Sequence, residues 1–172
     1  MNERPILFST PMVRAILDGT KTQTRRIFKE GRTPFYAGQY LWVKETWRLE
    51  RVGKVSQVIY RTADGFVGSK WKSSLFMPKK FTRLVLQVEC VKTEKLQDIT
   101  DEDAWAEGMR LPIFSSSSSP RDQFHKLWDI INAKKGYSWD SNPLVWVVEF
   151  KIEWTIGRGY KKGINPDGQD KD

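Results

Sequence analysis

The run from Leu84 to Cys90 constrains this chain more than any other stretch. Leu84, Leu86, Val88 and Cys90 alternate with Val85, Gln87 and Glu89. Side chains alternate across an extended backbone, so the first set makes an apolar face and the second a mixed one. A strand of this kind requires a sheet with a layer packed on it. Further strands are read at Pro5–Phe8, Tyr40–Trp47, Val55–Arg61 and Leu144–Trp154, and Asp64-Gly65 supplies a turn after the third of these. Helices are few. Ser9 or Thr10 caps one with Pro11 at its first position, Met12, Val13, Ile16 and Leu17 at helical spacing and Gly19 as its stop. Thr100-Asp-Glu-Asp103, behind Ile99, is an acidic capping box opening a short helix that Gly108 closes. Ser119-Pro120, at the end of the serine run from Ser115, opens a longer one with Phe124, Leu127, Trp128 and Ile131 on one face. Too few helices separate the strands for repeated βαβ units. The expected class is therefore α+β, a small mixed or antiparallel barrel of about five to six strands with peripheral helices. One domain is expected over residues 1–154, followed by a glycine-rich, disordered tail at 155–172.

Charge narrows the partners. The net formal charge is +8, with 17 basic and 7 acidic side chains in residues 1–89 against 12 and 14 in residues 90–172. A basic half suits a polyanion, nucleic acid above all, although solubility alone also explains a basic surface. The single cysteine, Cys90, sits in an apolar run and reads as a small buried hydrophobe. One cysteine and one histidine argue against a zinc site, and no cofactor-binding motif is present, so neither metal nor cofactor is expected. The sequence has no signal-peptide pattern and no apolar run approaching the roughly 20 residues that span a bilayer, so a cytoplasmic protein without membrane contact is expected.

Chemistry concentrates at Gly19-Thr-Lys-Thr-Gln-Thr-Arg-Arg26, read as a loop after the first helix. Three cations, Lys21, Arg25 and Arg26, alternate with the hydroxyls of Thr20, Thr22 and Thr24. A hydroxyl beside an amine can be activated as a nucleophile, and two guanidiniums suit phosphate or carbonyl oxygen. The plainer account is that these cations complement the negative end of the helix. Glu107, next to Gly108 at the end of its helix, is a second candidate. An anion there meets the negative end of the helix dipole, a setting suited to proton transfer, though most such glutamates are surface residues. Aromatic and basic groups also interleave, at Trp42 and Lys44, Trp47 and Arg48, and Trp71 with Lys70 and Lys72. Such pairs suit stacking on exposed bases, and Trp71 with Met77-Pro-Lys-Lys80 reads as a surface element. Trp128 and Trp146, set among aliphatics, read as core. His125 reads as a partly exposed helix residue.

Gly19-x-Lys21-x-x-Thr24-x-Arg26 resembles the Gly-x-Lys-x-x-Thr-x-Arg signature of ASCH domains, relatives of the PUA RNA-binding domains. Gly38-Gln-Tyr-Leu-Trp-Val-Lys-Glu45 resembles that family's Gly-Asp-x-Leu-x-Val strand, with Gln39 where aspartate is usual. Asp98-Ile-Thr-Asp-Glu-Asp-Ala-Trp-Ala-Glu-Gly108 is similar to the helix that follows in the family. Phe124-x-x-Leu-Trp128 and Asn142-Pro-Leu-Val-Trp-Val-Val-Glu-Phe150 are similar to a longer subgroup encoded by bacteriophages and prophages. The likeness runs over about residues 5–153, with inserts around 50–80 and 110–123 relative to compact members.

The resemblance implies a PUA-like barrel with a cleft where the signature meets the helix bearing Glu107. Small bacterial members are amidohydrolases acting on N(4)-acetylcytidine. Their catalytic set implies Lys21, Thr24 and Glu107 here, with Thr24 attacking the amide, Lys21 assisting and Glu107 shuttling the proton. Thr22, Arg25, Arg26, Lys44, Trp71, Lys79 and Lys80 are the expected contacts to a nucleoside or nucleic acid, RNA rather than DNA. Two other functions stand beside amide hydrolysis: a non-catalytic RNA- or DNA-binding module, and a ribonuclease. The sequence leaves the oligomeric state open.

Overall fold

The computed structural model describes residues 3–31, 35–63, 70–109 and 118–155. Seven strands and three α-helices lie among them: β1 (Glu3–Leu7), α1 (Thr10–Leu17), β2 (Gln23–Ile27), β3 (Tyr40–Lys44), β4 (Trp47–Val52), β5 (Val55–Tyr60), β6 (Leu84–Lys95), α2 (Asp101–Ala106), α3 (Pro120–Asn132) and β7 (Leu144–Thr155). Five strands form a sheet in the order β1-β3-β6-β7-β2, and β4 pairs with β5 in a second. The class is α+β, as expected. The larger sheet is mixed: β1 runs parallel to β3, whereas β3 with β6 and β2 with β7 are antiparallel. With β1 and β2 at its two ends, no closed barrel forms among the described residues.

Contacts divide the chain into two compact units, each assembled from separate stretches of sequence. The first comprises Met1–Val13, Gln39–Gln87 and Lys151–Asp172. Its core contains Ile6, Phe8, Leu41, Val43, Trp47, Met77, Leu84 and Leu86. The second comprises Arg14–Gly38 and Val88–Phe150, with Ile16, Val88, Leu96, Ile99, Ala104, Phe124, Trp128, Val145 and Val147 in its core. The expected tail, apart from Thr155, lies outside the described residues, as do positions 64–69 and 110–117 of the two inserts and Ser115–Ser117 of the serine run.

Local signals place most elements. Gly19, at φ 73°, ends α1 in the left-handed conformation that its missing Cβ permits, and the Gly19 and Thr20 N–H groups return to Ile16 and Ala15. Thr100 and Asp103 form the expected capping box of α2, and Ser119 caps α3 ahead of Pro120. Several readings change; Met77, read as part of a surface element, is buried, and Ile131, read on the packed face of its helix, is exposed. The segment expected as one strand over Tyr40–Trp47 breaks after Lys44, and Trp47 begins the β4–β5 hairpin instead. The cationic loop continues into a strand, β2, whose register against β7 runs from Gln23 opposite Glu149 to Ile27 opposite Val145. Cys90 is exposed, because β6 is buried over Leu84–Leu86 and Val88 but emerges at Glu89 and beyond. Trp146 is only half-buried, at 5.0 Å from Phe28 between ring centres, whereas Trp128 is core.

Candidate functional site

Within the second unit, the end of α1 and the end of α2 bring Lys21 and Glu107 together. Glu107 is the C-cap of α2, and Lys21 faces it in an isolated antiparallel bridge. Thr22 donates its backbone N–H to the Ala106 carbonyl at 2.8 Å and accepts from the Phe150 N–H at 2.8 Å, which fastens this segment between α2 and β7. Lys21 is 3% exposed and Glu107 4%. Lys21 Nζ donates to Glu107 Oε2 at 2.8 Å, to the Glu107 carbonyl at 2.9 Å and to the Gln23 carbonyl at 2.8 Å. Gly108 makes this approach possible. At φ 92° it is left-handed, and a Cβ there would stand 3.1 Å from Ala15 Cβ and 3.3 Å from Lys21 Cβ. The glycine read as a helix stop is therefore also the space into which the Lys21 stem packs.

Arg25 extends the contact into a network. Its guanidinium, 0% exposed, donates from Nε and Nη2 to Glu94 Oε1 at 2.8 and 2.6 Å. Nη2 also lies 3.0 Å from Asp103 Oδ2, and Nη1 donates to Gln23 Oε1 at 2.8 Å and to Glu107 Oε1 at 3.3 Å. Gln23 Nε2 in turn donates to Asp103 Oδ1 at 3.0 Å. The guanidinium sits 5.8 Å from the Phe124 ring centre. Fully engaged donors and three carboxylates explain how so strong a cation tolerates burial.

Burial decides the electrostatics. Desolvation lowers the Lys21 pKa below its ordinary 10.5; the charge and hydrogen bond of Glu107 pull it back up, and Arg26 and Arg25 push it further down. Desolvation lowers Arg26 too, with Glu107 opposing it. That residue is half-buried, and its guanidinium stays charged. Asp103 carries a desolvation cost that raises its pKa, but the Gln23 hydrogen bond, Arg25, the Thr100 N–H and Lys92 together outweigh it, and the result lies below 3.8.

The remaining candidates are spread more widely. Thr24 is buried in β2 opposite Val148, on the strand face that alternation assigns to Thr22 and Arg26 rather than to Gln23 and Arg25. Among the described residues no hydrogen bond joins its hydroxyl to Lys21 or Glu107. Thr22 has an exposed side chain. Lys44, Trp71, Lys79 and Lys80 belong to the first unit. Lys44 Nζ reaches the Leu75 carbonyl and lies 5.6 Å from the Trp42 ring centre. Trp71 stacks under Arg48 at 4.8 Å, Lys79 pairs with Glu3, and Lys80 lies 5.1 Å from the Phe81 ring centre. Sequence reading missed Gln23, Glu94 and Asp103. The contacts that bring Glu94 and Asp103 to Arg25 and Gln23 cross 69 to 80 residues of sequence, so no spacing rule reaches them. Among the described residues, no group of three or more His, Cys, Asp and Glu side chains could hold a metal ion, and no helix is long and apolar enough to cross a membrane.

No family model and no curated protein matches this sequence. Solved structures do match its fold. One is an ASCH domain from Lactobacillus crispatus JV V101, with a TM-score of 0.51 and 11% identity over 88% of this chain and 79% of that one. Another is a protein from Enterococcus faecalis V583 described by the family model DUF984, with a TM-score of 0.53 and 12% identity over 94% of this chain and 86% of that one. At such identities the likeness is one of architecture. The chain shares the α+β fold of that ASCH domain.

Proposed function

We propose that this chain binds a nucleobase and hydrolyses the amide of an acylated cytidine-type nucleoside, with N(4)-acetylcytidine as the substrate to try. The observation that carries the reading is the buried Lys21–Glu107 contact at 2.8 Å, with the amine held below its ordinary pKa. A buried ion pair seldom adds stability over an apolar pair, so a perturbed one is a candidate for chemistry. Transfer of one proton from Lys21 Nζ to Glu107 Oε2 leaves a neutral amine and a neutral acid. The amine takes the proton of the attacking Thr24 hydroxyl as its oxygen bonds the acyl carbon. Glu107 protonates the exocyclic nitrogen as the C–N bond breaks, releasing cytidine and an ester on Thr24. Water then cleaves the ester, freeing the acid and restoring the hydroxyl. Arg25 and Arg26, which both act on Glu107, hold the charges around this exchange.

Incubation with N(4)-acetylcytidine and chromatographic detection of cytidine tests the proposal. Turnover should appear with the wild type and fall by at least about a hundredfold in Glu107→Gln and Lys21→Ala, with folding checked by circular dichroism. Absence of turnover in the folded wild type, or undiminished turnover in a folded Lys21→Ala protein, removes it. Loss in Lys21→Ala with retention in Thr24→Ala would move the attacking oxygen from threonine to water.

A second reading, a non-catalytic nucleic-acid-binding module, draws on the fact that all three Lys21 N–H groups are engaged, as in a purely structural ion pair. The ribonuclease reading has less behind it. His125 stacks on Trp139 at 4.6 Å and pairs with Asp129, which leaves Lys21 or Glu107 to act as base.

A further inference from the structure

The most exposed aromatic ring among the described residues belongs to neither candidate set. Phe76, in the first unit, is 72% exposed, and its neighbour Leu75 is 57% exposed. An apolar pair held in water offers area that a ligand can bury. The turn that carries them is not slack. Ser73 caps the short 3-10 turn Ser74–Phe76 by accepting from the Leu75 N–H, and Phe76 and Met77 return their N–H groups to Ser73 and Ser74. Lys44 Nζ grips the Leu75 carbonyl, and Met77, 2% exposed, anchors the far side, its sulfur accepting from the Glu45 N–H at 3.3 Å. Backbone, cap and anchor thus hold the Phe76 ring outward.

The sequence stretch that carries it has charge of one sign. Residues 70–88 contain Lys70, Lys72, Lys79, Lys80 and Arg83 and no carboxylate. Lys72 and Lys80 are exposed and lie over rings, Trp47 at 4.9 Å and Phe81 at 5.1 Å, which orders them without cancelling their charge; Lys79 alone of these four lysines pairs with a carboxylate here, that of Glu3. The whole first unit holds 16 Lys and Arg against 8 Asp and Glu, whereas the second holds 13 of each, so the net charge of the protein lies entirely in the first.

We infer that the Ser73–Lys80 turn is a docking surface for single-stranded nucleic acid. A base stacks on Phe76 with Leu75 beside it, and flanking phosphates meet Lys72 and Lys80. A protruding flat ring between cations is the arrangement that single strands use, because every base has a stacking face and every linkage a negative charge. Two apolar side chains bury too little to hold a membrane surface. This inference goes beyond the proposed function: it rests on the same class of ligand, one that carries a nucleobase, and concerns the first unit alone.

The test is fluorescence anisotropy of the full chain with labelled oligouridylate and oligothymidylate, read alongside deacylation. Binding is expected to weaken roughly tenfold or more in Phe76→Ala and to return in Phe76→Trp, as loss and recovery of one stacked base require. Equal binding by wild type and Phe76→Ala, no binding of either oligonucleotide, or capture of anionic phosphatidylserine vesicles in place of oligonucleotides would overturn the inference. Anisotropy does not depend on turnover. Oligonucleotide capture without deacylation sustains the surface and removes amide hydrolysis, whereas deacylation without capture does the reverse.

Discussion

Lys21 shows why an ion pair in the interior is costly. Its ammonium loses its hydration on burial and recovers only part of that cost from Glu107, which is why its pKa ends below 10.5. The sign follows from linkage. The unfolded state binds the Lys21 proton more tightly than the folded state, so this residue lowers stability below its folded pKa, and the penalty fades as pH rises from there toward 10.5. Breaking the pair from one side is worse than removing both members. Lys21→Met leaves Glu107 buried beside Arg25 at 3.3 Å without its shortest ion-pair partner, and should cost about 3–5 kcal/mol. Lys21→Met with Glu107→Leu should recover most of that loss, since an apolar pair of similar volume is often neutral or better. Urea unfolding of the two variants measures the difference. A double variant no more stable than the single one would show that the pair contributes to the fold itself. The individual residues were legible: Lys21 and Glu107 stood out by type and position. Their contact across 86 residues did not, because it depends on tertiary placement.

At the scale of elements, β2 is the informative failure. Gln-Thr-Arg-Arg-Ile contains one aliphatic residue, and its charges read as a solvated loop. It becomes a strand because β7 pairs with it and because Glu94, Asp103 and Glu107 neutralise the side that enters the interior. Hydropathy cannot anticipate a strand whose buried polar groups are satisfied from elsewhere in the sequence. Helix α2 was legible for the opposite reason, since its cap lies within four residues. Asp103 links the two elements: it closes the capping box and also meets Gln23 and Arg25. Its folded pKa lies below the ordinary 3.8, so its contribution is present above 3.8 and is lost as pH falls through the lower folded value. Asp103→Asn keeps the shape and removes the charge. The variant should unfold at lower urea than the wild type near about pH 6, and the gap should close toward about pH 3. A gap of constant size across that range would mean that the Asp103 charge contributes nothing to holding β2 on α2.

Across the whole molecule, charge is sorted by three-dimensional unit differently from the way it is sorted by position in the chain. Read linearly, residues 1–89 are basic and residues 90–172 slightly acidic, yet Lys21, Arg25 and Arg26 of the basic half belong to the neutral unit and meet its carboxylates. The cations that made the signature conspicuous in the sequence are therefore spent internally, and those of the first unit remain for a polyanion. Each phosphate neutralised on a single strand releases counterions and contributes about −0.7 to the slope of log K against log salt. Lys72→Gln with Lys80→Gln should make that slope shallower by about 1.4 if each lysine meets one phosphate. Lys134→Gln with Lys135→Gln removes the same charge from an exposed site of the neutral unit and should leave the slope nearly unchanged. Equal effects of the two pairs would mean that net charge alone draws the oligonucleotide. An effect confined to the first pair means that the strand lies along the lysines beside Phe76, and that ligand docking and the Lys21–Glu107 pair draw on different cations.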